Sequence, residues 1–266
     1  MKRVRRDIAP PVLLVAILVL GWYFVAKVSG LGAFVLPSPG DVAKAGWETR
    51  GLLLDAVGTT MLATAIGLAV ALVGGVGLAA LMDLWPLARR ALYPLLVASQ
   101  TVQVLAIAPI LVIWFGFGLA PTISIVVLFC IFPLTISTAD GLASADPELV
   151  ALLRSMGATR GQIWRMVRLP SALPSFFTGL RLAVTYSIVA ATIGEWVGGS
   201  SGSSGLGFYL LRSKNALETD QVFAAMFVTT LLSIALFVAV RVIERVALPW
   251  YHSAQRKEQW EGQGIY

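Results

Sequence analysis

The sequence predicts an all-helical integral membrane protein that crosses the membrane six times. The chain is 58% hydrophobic and only 13% charged, and its mean hydropathy is +0.82, far from the values of a soluble domain. Six apolar runs approach the ~20 residues that a helix needs to cross ~30 Å of hydrocarbon. These runs cover 11–28, 58–81, 92–115, 122–142, 176–197 and 222–243. Little polar sequence remains, so we expect a single transmembrane domain over 1–266.

The first run follows four basic residues, as the apolar part of a signal peptide does. It is long, however, and contains three consecutive aromatic residues from Trp22 to Phe24, with no clear small-x-small cleavage site. Pro10 and Pro11 suit the start of a helix. We therefore interpret 11–28 as a retained first span.

The distribution of basic residues predicts the orientation. With the N-terminus inside, 15 of the 20 Lys and Arg residues lie on the inner side, as the positive-inside rule requires. This places both termini and the loop 145–174 in the cytoplasm. The pI near 9.8 then reflects membrane topology, and no nucleic-acid partner is expected.

The residue types of a catalytic or metal site are scarce. Cys130 is the only cysteine and His252 the only histidine, so no internal disulfide and no cysteine or histidine metal cluster can form. The chain has no nucleophile paired with a base and no G-x-x-x-x-G-K-[ST] phosphate loop. We expect a non-catalytic protein that binds no metal, cofactor or nucleotide of its own.

The polar loop 145–174 has the sharpest local pattern. Asp146 can cap a helix whose first turn holds Pro147 and Glu148, and Gly157 ends that helix. The pattern predicts a second short, basic helix over 159–167, ended by Leu169-Pro170, with Pro174 starting the fifth span. An ordinary basic inner loop explains the arginines without the two-helix pattern.

Apolar residues within that second helix favour a docking role for the loop. Ile163 and Trp164 are expected to be exposed, and exposed apolar surface on an inner loop favours burial against a partner.

Polar side chains within the spans are costly in hydrocarbon and are therefore candidates for function. We consider two explanations, a solute path and interhelical hydrogen bonds. The path candidates are Ser99, Gln100, Thr101 and Gln103 in the third span, and Tyr186, Thr192 and Glu195 in the fifth. Glu195 is either a gate or interface residue, or a solvated charge at the membrane edge. Arg181 and Asp140 are predicted to form a structural ion pair, with a role in transport as the alternative.

The order Gly157, nine residues, Val167, one residue and Leu169-Pro170 resembles the loop signature of permease subunits of binding-protein-dependent ABC importers. That signature begins with Glu-Ala-Ala, where this chain has Ala151-Leu152-Leu153. The resemblance implies the permease fold, with a cytoplasmic coupling-helix loop. The residues that it implies for contact with an ATPase are Gly157, Ala158, Thr159, Arg160, Ile163, Trp164, Val167, Leu169 and Pro170.

Further motifs resemble two sets of permeases within that family. The motifs LPSP at 36–39, IWFGFG at 113–118, Glu195-Trp196 and GLG at 205–207 resemble importers of aliphatic sulfonates, taurine and nitrate. The motifs SQT at 99–101, FP at 132–133, DG at 140–141 and FAA at 223–225 look closer to permeases for thiamine-pyrimidine precursors and riboflavin-like heterocycles, as does the segment 244–250.

The resemblance implies an ATP-driven importer in a bacterial inner membrane. Such an importer contains a second copy of this chain, two ATPase subunits that bind ATP and Mg²⁺, and an external binding protein. The favoured solute is a thiamine-pyrimidine precursor or related heterocycle, and the alternative is a sulfonate, taurine or nitrate. Two other classes stay open, an ion-coupled secondary transporter and a membrane-anchored assembly factor.

Overall fold

Eleven α-helices and one π-helical turn account for nearly all of the residues that the computed structural model describes, which are 2–28, 32, 34–101, 103–198 and 205–249. The helices are α1 (Lys2–Val28), α2 (Pro39–Glu48), α3 (Arg50–Leu84), α4 (Pro86–Ser99), α5 (Val104–Phe115), α6 (Leu119–Ala143), α7 (Pro147–Ser155), α8 (Arg160–Ile163), α9 (Leu169–Gly198), α10 (Leu206–Asn215) and α11 (Thr219–Ala247), and the π-turn covers Trp164–Arg168. The all-helical fold class is confirmed.

Four of the helices are long and apolar enough to span a membrane. They are Arg50–Leu84, Leu119–Ala143, Thr219–Ala247 and the continuous helical segment Arg160–Gly198. The first predicted span lies in α1, whose apolar part is Leu13–Val28. The third predicted span, 92–115, is interrupted, because α4 ends at Ser99 and α5 begins at Val104.

Helix α6 lies at the centre and packs along both α3 and α9. Its buried face includes Ile125, Val126 and Leu134, all fully inaccessible to solvent. Small side chains allow the close approach: an added Cβ at Gly179 of α9 would meet the Pro133 carbonyl oxygen of α6 at 2.9 Å. Tight packing of small residues is the usual source of helix association in a membrane.

The glycines of α3 serve this contact. A Cβ at Gly67 would meet Val126 at 2.6 Å, and one at Gly75 would meet Leu134 at 3.1 Å. Gly77 faces open space. Two of these positions therefore bring α3 against α6 within one chain.

Helix α1 lies at the periphery, where Trp22 stacks on two rings of α11, Phe223 at 5.8 Å and Phe227 at 5.7 Å between centroids. Helix α2 begins with a capping box in which Ser38 and Asp41 bond reciprocally. The Ser38 hydroxyl and amide donate to the Asp41 carboxylate, which holds the pKa of that carboxyl below its ordinary value.

Candidate functional site

A cavity of about 590 Å³ opens at the interruption between α4 and α5. One wall comes from the ends of these helices, and the others from one face of α6 and one face of α9. Its lining residues are Ser99, Gln100, Gln103, Leu128, Phe129, Phe132, Pro133, Ile136, Ser137, Leu182, Tyr186 and Ile193. The spacing of three or four residues along α6 keeps its contributors on one helix face. The volume falls within the range of small-molecule sites.

The interruption exposes backbone to this cavity. Gln100 and Thr101 form a turn that closes on Val97 and Ala98, and Gln103 has the extended angles φ −72° and ψ 101°. Non-helical backbone at membrane depth is tolerated where protein buries it or where it lines a water-filled cavity. Discontinuous helices of this kind supply the solute sites of many transporters.

Four of the seven predicted path residues come together here, namely Ser99, Gln100, Gln103 and Tyr186. Gln100 and Gln103 are exposed, and Tyr186 is 45% exposed. Thr101 is exposed but lies outside the lining, with its hydroxyl bonded to the Ala98 carbonyl oxygen at 2.7 Å. Thr192 is buried and donates to the Ile188 carbonyl oxygen at 2.8 Å. Thr192 and Glu195 therefore do not line this cavity.

Glu195 is 2% exposed and belongs to a second polar site, the Glu195 cluster, formed by Thr60, Glu195, Leu206 and Gly207. The Thr60 hydroxyl donates to Glu195 Oε1 at 2.8 Å, and the Gly207 amide donates to Oε2 at 2.7 Å. The Leu206 amide donates to Thr60 Oγ1 at 2.8 Å. This ring of bonds joins α3, α9 and the start of α10. The expectation of a solvated charge at the membrane edge is therefore wrong.

Glycine is required where α10 meets this cluster. A Cβ at Gly205 would lie 2.0 Å from Glu195 Oε1, and one at Gly207 would lie 2.2 Å from the Thr192 carbonyl oxygen. Only residues without a side chain fit at these two positions and let the Gly207 amide reach the carboxylate. The sequence motifs Glu195-Trp196 and 205–207 thus meet at one site.

The ion pairs within the helices differ from the predicted one. Arg181 lies 3.3 Å from Glu244 of α11, whose side chain is 6% exposed. Asp140 faces Arg89 at 3.8 Å and accepts a hydrogen bond from the Tyr93 hydroxyl at 3.3 Å. The predicted pair of Arg181 with Asp140 is therefore wrong: α6 and α9 each direct their charge toward a different neighbour.

The loop after α6 follows the predicted two-helix pattern at its start. Asp146 caps α7 by accepting from the Glu148 amide at 2.8 Å. Gly157 adopts φ +82°, a left-handed conformation that ends helices. Thr159 and Gln162 then form a capping box that starts α8.

The predicted stop at Leu169-Pro170 is wrong, since the helix continues from Arg160 to Gly198. A π-turn makes this possible: the Leu169 amide donates to the Trp164 carbonyl oxygen, five residues earlier. Pro170, which has no N–H, directly follows this turn, and π-turns occur often at functional sites. Pro174 lies inside α9 instead of starting it.

The expectation that Ile163 and Trp164 are exposed is also wrong. Ile163 is 5% exposed, and Trp164 packs against the buried cluster of Ala79, Met82, Ala139, Leu142 and Ala172. A helical pattern in a short segment does not show which apolar face turns toward the protein. The large apolar side chains of the loop that are exposed are Leu149 (49%), Leu152 (55%), Met156 (73%), Met166 (64%) and the predicted contact residue Leu169 (40%).

Basic residues accompany this exposed apolar set, which we call the loop surface. Arg154, Arg160 and Arg165 are exposed. Arg168 instead turns toward α3 and forms a short ion pair with Asp83, whose side chain is 7% exposed. The pair fastens the π-turn to the end of α3.

Other roles find little support in the described part of the chain. It contains no group of three His, Cys, Asp or Glu residues that could hold a metal ion. Cys130 is buried and donates to the Ala183 carbonyl oxygen at 3.2 Å. His252 and the segment 250–266 lie outside the described residues.

The fold, the interrupted helix and the loop define a class of protein, the membrane subunit of a transport system. The comparison with family models agrees: the chain belongs to the family described as the binding-protein-dependent transport system inner membrane component, which matches residues 71–251. It is therefore a multi-pass inner-membrane transport subunit and not an enzyme, and the resemblance drawn from the loop signature is confirmed.

Several curated relatives match almost end to end. The formylaminopyrimidine transport permease protein ThiX of Halalkalibacterium halodurans is 37% identical over 94% of this chain and 98% of its own length. The riboflavin transport system permease protein RibX of Chloroflexus aurantiacus is 33% identical, covering 90% and 89%. The taurine transport system permease protein TauC of Escherichia coli is 28% identical, covering 90% and 89%.

Among solved structures, an inward-facing conformation of the MetNI methionine ABC transporter matches with a TM-score of 0.64. The sequences are 19% identical, and the match covers 75% of this chain and 97% of that one. This likeness supports the fold.

Residues that sequence reasoning missed include Phe129, Phe132 and Ser137 in the cavity, and Thr60 in the Glu195 cluster. The cavity residues had a usable signal, because they share one helical face with Pro133. Thr60 had none, since it lies 135 positions from Glu195 in the chain.

Proposed function

We propose that this chain is the permease subunit of an ATP-driven importer, and that the cavity at the α4–α5 interruption belongs to the translocation path. The observation that carries the proposal is the cavity itself: an interrupted apolar helix places amide and hydroxyl groups at membrane depth beside two long spans. Two copies of the chain, two ATPase subunits and an external binding protein form the assembly. ATP and Mg²⁺ are bound by the ATPase subunits.

The favoured solute is a thiamine-pyrimidine precursor or related heterocycle. The relatives named for formylaminopyrimidine and riboflavin transport support this choice through their identities of 37% and 33%. The taurine and aliphatic sulfonate permeases, at 28% and 29%, support the alternative of a small sulfonate. The solute specificity of the external binding protein decides between them in the first instance.

We propose that the loop surface faces the cytoplasm and contacts the ATPase. Support comes from the positive-inside distribution of Lys and Arg and from the exposed apolar and basic side chains of α7 and the π-turn. Leu152 and Met166 are two such anchors. Ile163 and Trp164 act from beneath this surface by holding the loop on the helix bundle.

A paired substitution tests this contact. Leu152→Ser with Met166→Ser should release the ATPase from the purified complex and abolish uptake, since buried apolar anchors carry much of an interface's energy. The matched control is Leu217→Ser, which removes a side chain that is 64% exposed, like that of Met166, at the other end of the bundle. Pull-down of the ATPase and uptake into vesicles are measured. Full ATPase retention by the double variant contradicts the proposed contact.

The path is tested in the same vesicles. Gln100→Leu and Gln103→Leu should each lower uptake of a formylaminopyrimidine while the complex stays assembled, because each removes an amide from the cavity wall. Thr101→Val is the control, since Thr101 is exposed at the same interruption but lies outside the lining. Unchanged uptake in both glutamine variants would mean that Gln100 and Gln103 serve helix packing and not the solute path.

A further inference from the structure

We infer that the cavity is itself a selective site, which accepts an uncharged, planar heteroaromatic ring and rejects small anions. The inference rests on the proposed function and extends it: selection then occurs in the permease as well as in the external binding protein. The chemistry of the lining, and not the identity of any relative, carries the argument.

Aromatic side chains supply flat apolar contact. Phe129 and Phe132 project from one face of α6, and Tyr186 projects from the adjacent helix α9 into the same cavity. A ring that enters therefore meets aromatic groups from both helices. A heteroaromatic base stacks favourably on such side chains whatever its sequence of ring substituents, because every base has a flat π-face.

Amide groups supply edge recognition. The side chains of Gln100 and Gln103 make no hydrogen bond within the described part of the chain, so each offers a free donor and a free acceptor. Pro133 has no N–H to donate to the Phe129 carbonyl oxygen one turn earlier, so that oxygen lacks its usual α-helical partner. Amino-substituted nitrogen heterocycles carry both donors and acceptors along one edge and match this arrangement.

Charge is missing from the lining. None of the twelve lining residues is acidic or basic. Arg181 precedes the lining residue Leu182, but its guanidinium is paired with Glu244 at 3.3 Å. A sulfonate that left water here would find no cation to replace its hydration, and an unpaired ion is expensive to bury. The cavity therefore favours solutes without ionised groups over taurine, whose sulfonate and ammonium groups are both charged.

Thiol protection tests the site directly. In a Cys130→Ser background, Ser99→Cys places a thiol in the cavity, and Thr101→Cys places the control thiol at the same interruption outside the lining. The complex with its ATPase is held in nanodiscs without binding protein and labelled with a maleimide. We expect an uncharged 4-aminopyrimidine at ten times its Kd to slow labelling at position 99 about tenfold, and to leave position 101 unchanged. Taurine at the same concentration should protect neither position.

Two aromatic variants sharpen the outcome. Phe132→Leu and Tyr186→Leu should each raise the concentration of aminopyrimidine needed for protection about tenfold. Tyr186→Phe keeps the aromatic ring and should therefore show most of the protection that Tyr186→Leu loses. Protection by taurine, equal protection of positions 99 and 101, or no protection by the aminopyrimidine overturns the inference. If pyrimidine uptake occurs without protection, the inference fails and the proposed function stands. If protection occurs but no pyrimidine is imported, the favoured solute of the proposed function fails and the site stands.

Discussion

The two ends of helix α9 are held in opposite ways. At one end, Glu195 is 2% exposed and fixed by the Thr60 hydroxyl and the Gly207 amide at 2.8 and 2.7 Å. At the other end, the π-turn is tied to α3 by the Arg168–Asp83 ion pair, in which the arginine side chain is 34% exposed. Around it lie apolar side chains that no described residue covers.

The difference shows which end of α9 has its interactions satisfied within the chain and which end leaves apolar surface exposed. Buried polar groups that are fully hydrogen-bonded specify one packing arrangement, so the Glu195 end is complete within a single chain. The loop surface leaves Met156 73% exposed and Met166 64% exposed, a state that suits later burial against a partner. We therefore expect substitutions at the Glu195 end to act on folding, and those at the loop end to act on coupling.

The largest effect is expected from Gly207→Ala. Its methyl group would lie 2.2 Å from the Thr192 carbonyl oxygen, a backbone atom that cannot yield, so α10 must separate from α9. We expect a loss of about 3 kcal/mol in the free energy of unfolding, the upper end of the usual range for overpacking. Thermal unfolding of the purified protein in detergent measures this loss. Gly77→Ala is the control, since a Cβ there meets nothing within 4 Å; equal stability of the two variants would contradict the close approach.

A smaller loss is expected from Thr60→Val. The substitution keeps the shape but leaves the Leu206 amide and one oxygen of Glu195 without their partner, at a cost of about 2 kcal/mol. Thr64→Val, one turn further along α3, should be neutral or slightly stabilising, because the buried Thr64 hydroxyl has no partner in the described chain. The melting temperatures of the Thr60→Val and Thr64→Val variants are compared. An equal loss in both would mean that the hydrogen bonds of the Thr60 hydroxyl do not contribute to stability.

The smallest effect on stability is expected at the loop end. Gly157 has φ +82°, whereas Gly161 lies in a helix, and neither would bring a Cβ within 4 Å of another group. Gly157→Ala should therefore cost about 1 kcal/mol, from conformation alone, and should lower uptake per ATP hydrolysed by tilting α7. Gly161→Ala should leave the free energy of unfolding and the uptake per ATP hydrolysed at or above the wild-type values. Uptake per ATP hydrolysed is measured in vesicles that contain the ATPase. An unchanged ratio in Gly157→Ala would mean that the turn at Gly157 has no part in coupling.

Hydropathy alone predicted most of the membrane-spanning fold. Apolar runs such as 58–81 and 222–243 extend over the whole thickness of a bilayer, and no soluble fold accommodates so many of them. The interruption near Gln100 escaped prediction because two glutamines and a threonine barely lower the average hydropathy of a window that remains apolar on both sides. The family resemblance rested on the loop, where the spacing of Gly157, Val167 and Leu169-Pro170 could be recognised directly.

The candidate sites were predictable only in part, for physical reasons. Gln100, Gln103 and Tyr186 could be chosen as polar groups in apolar spans, but their convergence depends on how α6 and α9 pack. The side chains of Ile163 and Arg168 could face either way, since a short amphipathic segment does not reveal which neighbour covers it. The partner of Glu195 depends on helix pairing over 135 positions, which one sequence does not encode locally.

The π-turn has a mechanical consequence. The helical segment from Arg160 to Gly198 contains 39 residues, about 58 Å at 1.5 Å per residue. Its departures from regular α-helical bonding, the π-turn, Pro170 and Pro174, all fall between 164 and 174. The N-terminal end of this helical segment is therefore its easiest place to bend, whereas 175–198 is regular α-helix. We therefore expect a movement of the loop surface to bend this segment first, so that the cavity wall and the Glu195 end turn together.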